Sequence, residues 1–113
     1  MAVKIKRVYE KSAAKDGYRV LVDRVWPRGI AKAAAAVDEW LKEVGPSTEL
    51  RTWFGHEPSR FEGFAEKYRA ELDANPAADQ LRAIVSEHPT VTLVYSAKDE
   101  EHNQAVVLAE YLS

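Results

Sequence analysis

The sequence predicts an α/β protein, a single domain over residues 1–113 with a small, largely parallel sheet flanked by helices. Two observations predict it. Tyr18–Asp23 and Val91–Tyr95 are short apolar runs of the kind that form strands covered on both faces. Segments with helical spacing fill most of the chain between and after them.

Val3–Val8 alternates aliphatic and charged residues, as a half-exposed strand does. Asp16-Gly17 is a turn signal ahead of Tyr18–Asp23. The link between these two strands is short for a helical crossover, so they are either a hairpin or parallel with a reduced connection. Trp26-Pro27-Arg28-Gly29 breaks the second strand, because proline cannot donate to a ladder and glycine permits a turn. An alanine-rich helix is expected next, with Val37, Trp40, Leu41 and Val44 on one face and Gly45-Pro46 as its stop. Ser47 is placed to cap a short helix that buries Leu50, Trp53 and Phe54 and ends at Gly55. Pro58 suits the first turn of another helix. Phe61, Phe64, Ala65, Tyr68 and Leu72 make that helix's inner face, and Asn75-Pro76 ends it. Leu81, Ile84 and Val85 mark a fourth helix, terminated by His88-Pro89. A last helix, about 103–112, is expected to bury Val106, Ala109 and Leu112 or a neighbouring stripe.

The composition excludes several functions. Without cysteine there is no disulfide, zinc-thiolate site or thiol nucleophile, which suits a reducing compartment, and a cytoplasmic protein is expected. No apolar run approaches a membrane span, so no membrane partner is expected. The three histidines lack metal-ligand spacing, and no serine sits in a nucleophile elbow; no metal and no cofactor are expected. Charge is uneven: residues 1–32 hold nine Lys/Arg against three Asp/Glu, and residues 33–113 hold seven against fifteen. A basic face for nucleic acid is therefore an alternative, weakened by a net charge of −2 and by the lack of a helix-turn-helix reader.

Ligands of open α/β sheets bind beyond the carboxyl ends of strands. Two loops leave such ends, Asp23–Gly29 and Ser96–Asn103. If their strands are adjacent and parallel, Arg24, Arg28, Lys98 and Asn103 converge on one ligand, an anionic small molecule of nucleotide or phosphate type. Asp23 and His102, with His56 from a separate loop, are the acid–base candidates for a hydrolase or transferase. Each has a plain structural alternative: ion pairing for Asp23 and Arg24, a solvated loop for Lys98, a helix-start histidine for His102. Asp99 reads as a helix cap, and Glu100 and Glu101 as first-turn acids.

Tyr18–Gly29, Asp38–Leu41, Ser47–Phe54, Gly55-His56 and the ending Thr92–Leu112, with Lys98–Asn103 inside it, resemble the YeaO-like family, a branch of the wider DUF488 group. The resemblance spans about Val3 to Leu112 and implies an α/β fold with a shared pocket, without an established reaction. The wider group tends to carry Asp-x-Arg at the first strand end and Cys-His-Arg at the final helix start. This chain has Asp23-Arg24 and His102-Asn103, with Glu101 where the cysteine would stand, so thiol chemistry cannot apply. A non-catalytic interaction domain is the remaining alternative.

Overall fold

The computed structural model describes residues 2–112. Four strands form one parallel sheet in the order β1-β4-β2-β3: β1 is Ala2–Arg7, β2 Tyr18–Leu21, β3 Glu39–Trp40 and β4 Thr90–Tyr95. The helices are α1 (Lys32–Ala35), α2 (Thr48–Phe54), α3 (Phe61–Asp73), α4 (Pro76–Glu87) and α5 (Gln104–Tyr111). Among the described residues, no helix is long and apolar enough to cross a membrane.

β4 is the sheet's centre, and every residue from Val91 to Tyr95 is buried. Alternation along the strands divides its neighbours between two clusters. Val20, Val22, Val91, Leu93 and Tyr95 join the large core beneath α2–α5; Leu21 and Val94 join Val8 and Ala35 in a small cluster on the other face. Phe64, Tyr68 and Leu72 of α3 lie in the large core, each supplying about 1.5–3 kcal/mol relative to an exposed position.

β1 and β2 are parallel but not neighbours, because β4 lies between them; the hairpin alternative is excluded. The connection contains only the single 3-10 turn Ala14–Asp16. It is held from within: Asp16 accepts from Ala13 N–H, Lys6 and the buried Arg19, and the Thr92 hydroxyl donates to the Asp16 carbonyl. Gly17 then turns into β2 at φ 67° and ψ −136°, a conformation open almost only to glycine. A Cβ there would overlap the Thr90 carbonyl oxygen. Gly17→Ala is expected to cost at least about 2 kcal/mol, as strain and overlap act together; urea denaturation measures it, and a loss under about 0.5 kcal/mol would contradict this account.

The helix expected through Val37–Val44 does not form. Helix α1 stops at Ala36, which is left-handed at φ 49°. Glu39 and Trp40 instead pair with Val20 and Leu21 as an edge strand, and the Trp40 indole donates to the Asp23 carbonyl. Long-range pairing has overridden a coincidental helical spacing. Trp53, expected in the core, is 40% exposed; its ring lies against Gly63 between Arg60 and Lys67. In α5 the buried stripe is the neighbouring one, Ala105, Val107 and Leu108.

Candidate functional site

β2 and β4 are adjacent and parallel, so the segments leaving them emerge at one edge of the sheet. There they border a cleft of about 220 Å³, also lined from α2, the segment after it and the start of α5. Its polar wall is Asp23, Arg24, Arg51, His56, Ser96, Asn103 and Gln104; Phe54, Phe64 and Pro46 are among its apolar members.

Asp23 is the chemically unusual group. It is 7% exposed, and Oδ1 accepts from the Gln104 amide at 2.5 Å. Oδ2 is buried, and the carboxyl is also stabilised by hydrogen bonding from the Ser96 hydroxyl and N–H. Burial pushes the carboxyl up from its ordinary value, against the lowering influence of nearby Ser96, of Gln104 and of the Arg51 charge. The backbone here is fixed, since Val22 N–H donates to Val94 and Trp40 to the Asp23 carbonyl.

Arg51 comes from α2, whose start is set by the Ser47 hydroxyl accepting from Leu50 N–H. Nη2 donates to Thr48 at 3.1 Å, while Nε is buried and unpartnered. Helix α2 ends on left-handed Gly55, and His56 follows at φ 57°. Two successive left-handed residues bring His56, itself exposed, to the cleft rim.

Of the residues singled out from sequence, Asp23, Arg24, His56 and Asn103 line the cleft; Arg28, Lys98 and His102 do not. Arg24 is engaged, donating from Nε to Pro46 and from Nη2 to Gly45 and, more weakly, Glu43. Asn103 is the cap of α5: its Oδ1 accepts from Val106 N–H and its amide donates to the Asp99 carbonyl. Arg28 is exposed, and its carbonyl accepts from the Tyr9 hydroxyl. His102 pairs through Nδ1 with Asp99 at 2.8 Å and meets Phe61 edge-on. Asp99 caps the turn before α5 rather than the helix itself, accepting from Glu101 and His102 N–H; with the His102 ring, those bonds hold its carboxyl below the ordinary value.

Arg51, Ser96 and Gln104 were missed. Arg51 had one signal available, its position three residues before Phe54, which puts a cation on the same helix face as a core aromatic. In a flatter depression at the sheet's amino end, Tyr18 is bonded to Glu39 and stacked on His88.

Over residues 2–113 the sequence matches the family model described as the inactive DUF488-N3 subclade. It is 46% identical over 112 residues to the uncharacterized protein YeaO of Escherichia coli (strain K12), covering 99% of this chain and 97% of that relative. The chain belongs to the YeaO-like branch of the DUF488 family. This YeaO-like chain is also 43% identical over 111 residues to the uncharacterized proteins Mb3100c of Mycobacterium bovis and Rv3073c of Mycobacterium tuberculosis (strain H37Rv), covering 98% of itself and 93% of each. No solved structure matches it. In the YeaO-like chain Glu101 is exposed on the Asp99 turn and outside the cleft lining.

Proposed function

We propose that this protein binds a small anionic molecule in the cleft beyond β2 and β4, and binds it without turning it over. The observation that carries this reading is Arg51, a half-buried guanidinium on the cleft wall whose one hydrogen-bond partner among the described residues is the Thr48 hydroxyl. An oxyanion in the cleft would accept from the remaining guanidinium N–H groups, and guanidinium–oxyanion bonds are among the stronger ones available to a protein. Binding without turnover agrees with two further points. His102 is committed to Asp99 away from the cleft, leaving His56 as the histidine on its wall. The subclade's description as inactive points the same way.

The nucleic-acid alternative is weakened because four of the nine cations of the basic first third are turned inward, although Lys4, Lys11, Lys15, Arg28 and Lys32 are exposed. Lys6 and Arg19 pair with Asp16, Arg7 donates to the Ser96 and Ala97 carbonyls, and Arg24 donates to Pro46 and Gly45. These four cations brace the interior and are not available to phosphates.

Thermal shift with inorganic phosphate, glycerol phosphate, simple carboxylates and a mononucleotide tests the reading. An anion at about a hundred times its Kd adds about 2.7 kcal/mol and raises Tm by roughly 10 °C. Arg51→Gln should weaken that anion about 10- to 100-fold, the worth of a bond to a charged group, while Arg28→Ala should leave it unchanged. If no anion moves Tm, the cleft is not an anion site.

A further inference from the structure

Resting on the anion-site reading, we infer that His56 is the second contact for the anion, and that with Arg51 it fits the cleft to a small tetrahedral dianion held more tightly as pH falls. His56 stands apart from the other two histidines. His88 is stacked on Tyr18, and His102 is paired with Asp99. The His56 ring is exposed at the cleft rim and, among the described residues, has no hydrogen-bond partner and no ion pair. Its ring contact is with Phe54, centroids 6.1 Å apart. The backbone beneath it is strained as well. Helix α2 has already ended on Gly55, whose φ of 54° suits glycine. His56 repeats that conformation at φ 57° with a Cβ that disfavours it. The turn closes with Glu57 N–H donating to the Phe54 carbonyl. Glycine would make the same turn with less strain, so the turn alone does not account for an imidazole on the cleft.

The charges around His56 favour a dianion. Arg51 reaches the cleft from α2, and Asp23 and Arg24 from the segment leaving β2. The segment after β4, the start of α5 and α3 contribute uncharged side chains to the described lining. Glu57 and Arg60, which follow His56, are exposed and outside it; Arg60 donates to the Trp53 carbonyl. Arg24 bonds to backbone carbonyls, so its charge is not cancelled. One carboxylate against two guanidiniums leaves the cleft singly positive, and a protonated His56 makes it doubly so. Histidine is the side chain that takes up such a charge between pH 8 and 5. The 220 Å³ admits a phosphate or sulfate group carrying a few carbons. Asp23 is a rival source of pH dependence, since burial raises its carboxyl and its neutralisation in acid also favours an anion.

NMR titration with sulfate and methanesulfonate at fixed ionic strength separates the two groups. Unlike phosphate, both probes keep their charge from pH 8 to 5.5. In wild type, sulfate should bind roughly three- to tenfold more tightly at pH 5.5 than at pH 8, the worth of an exposed charge-assisted bond, and methanesulfonate about twofold or less. Asparagine accepts the left-handed conformation, so His56→Asn should remove this dependence and bind sulfate at pH 8 within about twofold of wild type. Asp23→Asn should retain it. His56→Gly should also lose it while melting no lower than wild type, which separates lost binding from lost fold. Sulfate binding that ignores pH in wild type, or a dependence that survives His56→Asn and vanishes in Asp23→Asn, would overturn the role of His56 and leave the anion site standing. Equal binding of the two probes at pH 5.5 would overturn the dianion class. Failure of both to bind at every pH would remove the site itself.

Discussion

Asp16→Ala is expected to lower stability by about 3 kcal/mol and Tm by roughly 10–15 °C. The carboxylate closes a short loop into the sheet and neutralises Arg19, with a 2.6 Å bond between side chains that are each only 5% exposed. Removing it leaves a buried guanidinium without its counter-ion, the costly way to break such a pair. The loss falls at the low end of the usual range because Arg19 keeps the carbonyls of Ala35 and Ala36. The partner on the other side matters less: Lys6 is more exposed and 3.2 Å away, so Lys6→Met should cost under about 1 kcal/mol. The pH dependence has a definite sign. Burial alone would raise the Asp16 carboxyl, but the bonds from Ala13, Lys6 and Arg19 outweigh it and hold the group below its ordinary 3.8. Its stabilisation is therefore complete above about pH 3.8 and is lost as pH falls through the lower folded value. Urea denaturation of wild type and Asp16→Ala at pH 7 and in acid measures both effects; a loss under about 1 kcal/mol at pH 7 would show the pair to be dispensable.

The same network shows what was legible in the sequence. Strand β4 was readable because a β-branched, apolar run five residues long has few other solutions in a small domain. Ser47, Gly55 and the apolar face of α3 were readable because caps and helical stripes are local signals. The edge strand at Glu39-Trp40 was not. Its pairing partner lies about twenty residues away, and Val37, Trp40, Leu41 and Val44 fit a helical face by accident of spacing. The candidate site divides along the same line. Asp23 was found from its place at a strand end. Arg51 and Gln104 were not, because nothing local distinguishes a cleft-lining side chain from a solvated one on a short helix. Arg24 and Asn103 were found by position, but bonds to distant carbonyls and to the α5 backbone, which sequence spacing does not reveal, already engage them.

Asp23→Asn is expected to do the opposite of a typical core substitution, stabilising the unliganded protein at neutral pH by about 1–2 kcal/mol and raising Tm by roughly 4–8 °C. The amide keeps an oxygen for Gln104 while removing a charge that burial disfavours. Burial raises the Asp23 carboxyl above 3.8 in the folded state, so the native protein holds its proton more tightly than the unfolded chain does. Wild-type stability contributed by this group therefore falls as pH rises from about 3.8 through the folded value and is level above it. Wild type and Asp23→Asn should melt together near pH 3 and separate as pH rises, with the variant the more stable. Because the Arg51 charge opposes the rise, Arg51→Gln should carry the falling limb of the curve to higher pH. Melting curves for the three proteins across pH 3–8 test this. A variant that melts below wild type at pH 7, or a gap that does not change with pH, would mean that the bonds from Ser96 and Gln104 outweigh the burial of the charge.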